Sequence, residues 1–269
     1  MDDTGLQDFV TALTSVTEPW RILDSYLGKD GTPADWQKEM SREATKDGAQ
    51  VFALCSRRAG KSIMSSALAA AELALPKRKV IVVAPTLAQS KLLRLSIEEL
   101  LRDHVPLPLE YEATQEELRI ANGSNLRCIA AGQEGSGVRG EGIRDGALII
   151  DEAAYCDARV FDAALPLVEE RGKLLLLTTP AAKDPANRAY QMWTDTKTYN
   201  TLHRIRVNAY DQPYLQAKLG RAMKLMPKEM LEREYGTQWL AKDGVALVPS
   251  EALAAANSDR KGWTFDLSH

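Results

Sequence analysis

The stretch Cys55-Ser56-Arg57-Arg58-Ala59-Gly60-Lys61-Ser62 limits what this chain can fold into more than any other. An apolar run, QVFALC at 50–55, leads into it, and an Ala-rich helical pattern follows from Lys61 to about Leu75. A strand, a glycine-containing turn and a helix N-terminus in that order bring backbone N–H groups together at a positive dipole end, which is what a polyphosphate needs. In such a turn Lys61 reaches the β- and γ-phosphates and the Ser62 hydroxyl serves Mg²⁺. Ser56, Arg57, Arg58, Ala59 and Gly60 complete the candidate nucleotide cradle. The usual pattern, G-x-x-x-x-G-K-[ST], has a glycine where this chain has Cys55.

The rest of the chain repeats the alternation of strand and helix. KVIVVA at 79–84 is followed by a helical pattern from about 87 to 102, and ALII at 147–150 and the leucines of KLLLL at 173–177 are continuous apolar runs. Strands apolar on both faces belong inside a parallel sheet covered by helices. LHRIRV at 202–207 predicts a further strand, and 213–234 reads as helical. Glu117–Ala121 and Asn125–Ala130 flank Asn122-Gly123-Ser124, a hairpin signal. Residues 131–146 hold six glycines in a loop too long for a simple connection. The expected fold is α/β: a three-layer P-loop NTPase core of the ASCE type with a mainly parallel central sheet. The expected boundaries are a helical lead-in at 1–46, the core at 47–240 and a linker or tail at 241–269.

ALII ends in Asp151-Glu152, about 90 residues after the glycine-lysine-serine turn. The carboxyl ends of strands are where an open α/β sheet places ligands. Asp151 is therefore the candidate second holder of Mg²⁺ with Ser62, and Glu152 the candidate group that polarises an attacking water. Phosphoryl transfer to water needs a metal, positive charge and a water-orienting group, and all three are nameable here.

Composition narrows the field further. Of 269 residues, 45% are hydrophobic and 26% charged, which excludes a largely disordered chain. No apolar run approaches the ~18 residues of a membrane span, and MDDTGLQDFV lacks the features of a signal peptide. Cys55, Cys128 and Cys156 are far apart without metal-ligand spacing and read as reduced thiols of a cytosolic protein. The net charge of −3 is unevenly spread: residues 183–233 carry ten Lys or Arg against five Asp or Glu, a local +5 that leaves −8 on the rest. A basic segment in an acidic chain allows a localised polyanion track, with Lys183, Arg188, Arg204 and Arg206 as its candidate contacts.

Four motifs together resemble the ATPase domain of the terminase large subunit of tailed double-stranded DNA phages: CSRRAGKS, the strand end VVAPT at Ala84-Pro85-Thr86, LIIDEAA around Asp151-Glu152, and Thr178-Thr179-Pro180 after a later strand. The resemblance covers about residues 33–240. It implies adenine recognition at Trp36 and Gln37, and coupling of γ-phosphate state to motion through Thr178 and Thr179. It implies an arginine finger at Arg139 acting on a neighbouring subunit's ATP, with Arg144 as nearest competitor. It implies ATP with Mg²⁺ as the working pair, and catalysis by Lys61, Glu152 and Arg139. The expected activity is hydrolysis of ATP coupled to translocation of double-stranded DNA into a procapsid. The expected partners are the portal protein, a small terminase subunit and copies of this chain in a ring, all in the host cytoplasm and none in a membrane. The family's complete chains add a nuclease domain. This chain ends at His269, with Asp266 in a strand-like WTFD, so no nuclease activity is expected. Two alternatives stand beside this reading. One is a superfamily-2 helicase-like ATPase, disfavoured because no second motor lobe fits after residue 180. The other is a nucleotide-gated DNA-binding scaffold, disfavoured by the presence of Glu152.

Overall fold

The computed structural model describes residues 14–131 and 142–241. Among the described residues, α1 (Trp20–Leu27) and α2 (Asp35–Ala44) lie ahead of the sheet. The α2 helix buries Trp36, Gln37, Met40, Ser41 and Ala44, the i, i+4, i+8 face its sequence presents. Then come β1 (Gln50–Cys55), α3 (Lys61–Ala74), β2 (Lys79–Ala84), α4 (Leu87–Asp103), β3 (Tyr111–Ala113), β4 (Glu117–Ile120) and β5 (Asn125–Ala130). The described chain continues through β6 (Gly146–Asp151), α5 (Ala158–Ala164), β7 (Lys173–Thr178), α6 (Arg188–Thr194), β8 (His203–Val207), α7 (Gln216–Leu225) and α8 (Lys228–Glu234).

The eight strands form one sheet in the order β3-β4-β5-β2-β6-β7-β1-β8. From β5 to β8 every pairing is parallel, and β3 and β4 add an antiparallel edge. Strand alternation divides the core into two layers. Val51, Ala53, Cys55, Val80, Val82, Ala147, Ile149, Leu175 and Leu177 face one side, with Met40, Met64, Ala67 and Ile97 of α2, α3 and α4. Phe52, Ile81, Val83, Leu148, Ile150, Leu174 and Leu176 face the other, with Val160 and Phe161 of α5 and Ala189 and Met192 of α6. The period of two along each strand thus gives the three-layer α/β architecture expected from the sequence. Ile22 and Leu23 of α1 join the first of these layers.

Gly146 makes the close entry into β6 possible. It pairs with Lys79 on β2, and a side chain there would put Cβ 2.0 Å from the Lys79 carbonyl oxygen. The strand that carries Asp151 can therefore lie flush against β2 only with glycine at its start.

The structure departs from expectation at two places. Residues 213–234 are not one helix: Met226 is extended (φ −116°, ψ 143°) ahead of Pro227, which lacks an N–H and disfavours helix in the residue before it, so α7 ends and α8 starts afresh. The short β3 was not anticipated, because three residues are too few to show a period and two of them, Glu112 and Ala113, are exposed. Among the described residues no helix is long and apolar enough to cross a membrane.

Candidate active site

The order β6-β7-β1 is the architectural fact that builds the site. The turn after β1 and the acids that end β6 sit on strands separated by one neighbour, β7. Parallel pairing puts the C-terminal ends of all three on the same edge of the sheet, with Leu54 opposite Thr178 and Asp151 opposite Leu177. Thr178-Thr179 therefore emerges between the phosphate turn and the carboxylates.

Cys55 stands where glycine is usual because β1 continues through it, fully buried and paired with Val207 of β8. Burial pushes its thiol up to about 12, which makes it a core residue and not a nucleophile. The left-handed backbone falls later, at Arg58 (φ 65°) and Gly60 (φ 98°). Gly60 needs glycine for its torsion, and a Cβ there would also press on Gln37 Nε2 at 3.2 Å. Strained backbone at Arg58, a non-glycine, is the kind of outlier that collects at functional sites.

The first N–H groups of α3, beginning at Lys61 and Ser62, lack acceptors a turn earlier in the helix, as at any helix N-terminus, which is where an anion is favoured. Not all of the predicted cradle takes part. The Ser56 N–H donates to Val207 O (2.8 Å) and the Arg57 N–H to Glu234 O (2.6 Å). Ser56 and Ala59 are buried, and neither lines the cleft. The cleft, of about 910 Å³, is walled by Arg57, Arg58, Gly60, Lys61, Ser62 and Glu152, together with residues named below.

Lys61 and the two acids converge as their spacing implied. Ser62 Oγ donates to Asp151 Oδ2 at 3.1 Å across 89 residues of sequence, and Ser65 Oγ donates to Asp151 Oδ1 at 3.3 Å. Burial, followed by the neighbouring Glu152 charge, pushes the Asp151 carboxyl up to about 6. Lys61 Nζ lies 3.4 Å from Glu152 Oε1. Glu152 itself sits in the left-handed region (φ 50°). Its Oε2 accepts from the Thr179 N–H (3.2 Å) and the Thr179 hydroxyl (3.1 Å). Thr178 points elsewhere: its Oγ1 accepts from the Ala154 N–H at 3.0 Å and donates to the Thr179 carbonyl at 2.7 Å.

The residues fit Mg²⁺. A buried carboxylate beside a serine hydroxyl is a pair of hard oxygen donors, and this ion takes one or two protein carboxylates with phosphate and water completing its shell. The described residues contain no group of three or more His, Cys, Asp or Glu that would hold a metal without such help.

Trp36 and Gln37 back the phosphate turn and do not line the cleft. Trp36 Nε1 donates to Tyr214 Oη (3.0 Å), which donates to the Ala59 carbonyl (3.2 Å), and Gln37 Oε1 accepts from the Ala34 N–H. Of the expected DNA contacts, Lys183 is exposed. Three others are engaged within the fold. Arg204 donates to the carbonyls of Met192, Trp193, Tyr199 and Leu202, and Arg206 to Thr237 and the Gly236 carbonyl. Arg188 pairs with Asp162 at 2.5 Å. Arg204 is thus taken up by four carbonyls, whereas Arg206 is exposed and Arg188 pairs with an exposed carboxylate at the surface. The exposed cations of the basic segment are Lys183, Lys197, Arg206, Lys218, Arg221, Lys224 and Lys228, and the last four cluster on α7 and at the start of α8. Arg139 lies outside the described residues, as do Asp266 and all but the first residue of the expected linker and tail. Arg144 is exposed at the N-terminal side of β6, at the opposite edge of the sheet from Asp151.

Sequence reasoning missed Tyr155, Arg233 and Glu234, which also line the cleft. Glu234 is buried and touches Arg57 (3.4 Å), 177 residues away. The one available signal was the charged run Glu232-Arg233-Glu234 at the end of a helical segment.

No protein-family model and no curated protein matches this chain. Solved structures do. The ATPase domain of the Thermus phage P74-26 large terminase matches with a TM-score of 0.65 at 20% identity, over 78% of this chain and 95% of that one. A large terminase from a thermophilic bacteriophage, in complex with ADP, matches with a TM-score of 0.62 at 16% identity, over 82% of this chain. The same terminase in complex with ATP-gamma-S matches with a TM-score of 0.58, also at 16% identity. This chain spans about half, 53%, of that longer protein. The fold of this chain is thus the α/β fold of phage large-terminase ATPase domains.

Proposed function

We propose that this chain is the ATP-hydrolysing motor domain of a DNA-packaging machine, driving double-stranded DNA into a procapsid. The observation that carries the reading is the joint placement of Lys61, Ser62, Glu152 and Thr179 around one cleft, with buried Asp151 bonded to Ser62 behind it, on a fold shared with terminase ATPase domains. Lys61 and the α3 N-terminus bind the triphosphate. Ser62 and Asp151 would hold Mg²⁺, which supplies charge neutralisation and orientation of the phosphates. Glu152, fixed by Thr179, orients the attacking water and receives its proton. Because Thr179 directly follows the strand between the two halves of the site, a change at the γ-phosphate reaches the end of β7 through Glu152, which supports a coupling role for Thr179.

The adenine contact at Trp36 and Gln37 belongs to the same proposal in an indirect form, since both support the turn through Tyr214 and Gly60. Arg139 is proposed as the finger that completes a neighbour's site in a ring. DNA contact is proposed at phosphates, through Lys183 and the exposed cations of α7, with no sequence preference. The portal protein and a small terminase subunit complete the proposed assembly.

The deciding experiment is Glu152→Gln. Nucleotide binding is expected to remain while turnover falls by about 10²–10⁴-fold, the usual worth of a positioned general base. A measurable rate left unchanged would remove Glu152 from its role and the motor reading with it.

A further inference from the structure

Glu234 and Arg233 line the cleft from the C-terminal end of α8. Glu234 is tied to the phosphate turn twice: its carbonyl accepts from the Arg57 N–H at 2.6 Å, and its Oε2 lies 3.4 Å from Arg57 Nη1. Its Oε1 lies 3.5 Å from Arg233 Nε. The three side chains line the same cleft as Lys61 and Ser62. The contacts are loose for charge-assisted bonds, which run at about 2.7–2.9 Å. The buried Nε of Arg233 makes no hydrogen bond beyond this ion-pair contact. An arginine on the wall of an anion site thus keeps unused donors, and a buried carboxylate holds it and a second arginine at long range.

We propose that Arg233 is a phosphate-binding residue of this site and that Glu234 competes with the triphosphate for the guanidinium groups of Arg57 and Arg233. This rests on reading the cleft as a triphosphate site. Phosphate oxygens accept in the bidentate geometry that guanidinium offers and carry more charge than one carboxylate. When the triphosphate enters, Arg233 exchanges Glu234 for phosphate, and Arg57 loosens its side-chain hold on the end of α8. The carboxylate then weakens binding, and the two neighbours have opposite effects on affinity.

That opposition is the test. Dissociation constants for Mg–ATP and Mg–ADP are measured by calorimetry on the full chain for the unmodified protein, Arg233→Ala, Arg233→Lys and Glu234→Gln. Expected is an about tenfold weakening of ATP binding in Arg233→Ala, partial recovery in Arg233→Lys, and an about threefold tightening in Glu234→Gln. A merely architectural pair would weaken binding in all three variants, and that result overturns the proposal, as does an ATP affinity that none of the variants changes. If Arg233→Ala fails to fold, the near-isosteric Glu234→Gln carries the decision by its sign. If the unmodified protein binds neither nucleotide, the triphosphate reading itself falls; if it binds both and the variants do not diverge, the exchange alone is wrong.

Discussion

The carboxylate of Glu152 accepts both the backbone N–H and the hydroxyl of Thr179, at 3.2 and 3.1 Å. Its neighbour Thr178 uses its hydroxyl on backbone groups alone. Adjacent threonines with the same chemistry should therefore give different phenotypes. Thr179→Val is expected to lower turnover about tenfold with nucleotide affinity little changed, because it frees a group that must be held in place. Thr178→Val leaves the buried Ala154 N–H without an acceptor and should cost about 1–3 kcal/mol of stability. Steady-state ATPase rates beside urea melts separate the two, and equal losses of rate at equal stability would refute the assignment.

Asp151 is held ionised at neutral pH against its burial. Its folded carboxyl is pushed up to about 6, above its ordinary 3.8, so between those values the folded chain binds more protons than the unfolded one. Stability from this group is then lost as pH rises from about 4 to 6 and stays lost above, by up to about 3 kcal/mol. Asp151→Asn should raise the melting temperature of the nucleotide-free protein by several degrees at pH 7.5 and by little at pH 4, while removing Mg²⁺-dependent turnover. A melting curve that does not change with the substitution at either pH would contradict this.

At the far end of the sheet from the site, Lys173 of β7 forms a buried ion pair with Glu72 of α3. Glu72 Oε2 has no other partner, so the pair is not fully satisfied. Lys173→Met should cost about 3–5 kcal/mol by leaving a buried carboxylate alone, whereas Lys173→Met with Glu72→Leu should regain most of it. Chemical denaturation of the two variants decides; a double variant no better than the single one would show that the pair itself is needed.

Tyr214 joins Trp36 to the phosphate turn through two hydrogen bonds at 3.0 and 3.2 Å. Tyr214→Phe removes both and should cost about 1 kcal/mol. Because Ala59 then loses its tether, ATP affinity is expected to fall about threefold. Calorimetry that shows unaltered affinity would leave Trp36 and Tyr214 as core residues only.

The chain's own pattern was enough to name the elements that matter. Five apolar residues in a row at 51–55 and at 80–84 and four at 174–177 mark strands buried on both faces, and glycine-lysine-serine at a helix start marks an anion site, because both signals depend on neighbours a few residues apart. Lys61, Ser62, Asp151 and Glu152 were legible for that reason, and so was the hairpin around Gly123. The order β6-β7-β1 was not, since strand order follows from which apolar faces pack together across the whole chain. That order puts Thr179, and not Thr178, against Glu152. The same nonlocal packing gave Arg204 four carbonyls to hold and removed it from any phosphate track. It also brought Glu234 to Arg57 across 177 residues, a meeting that no local period encodes. Local chemistry thus named the groups proposed to act on a triphosphate, while only the folded sheet decided which of them meet, because a side chain's partners depend on surfaces buried together and not on its place along the chain.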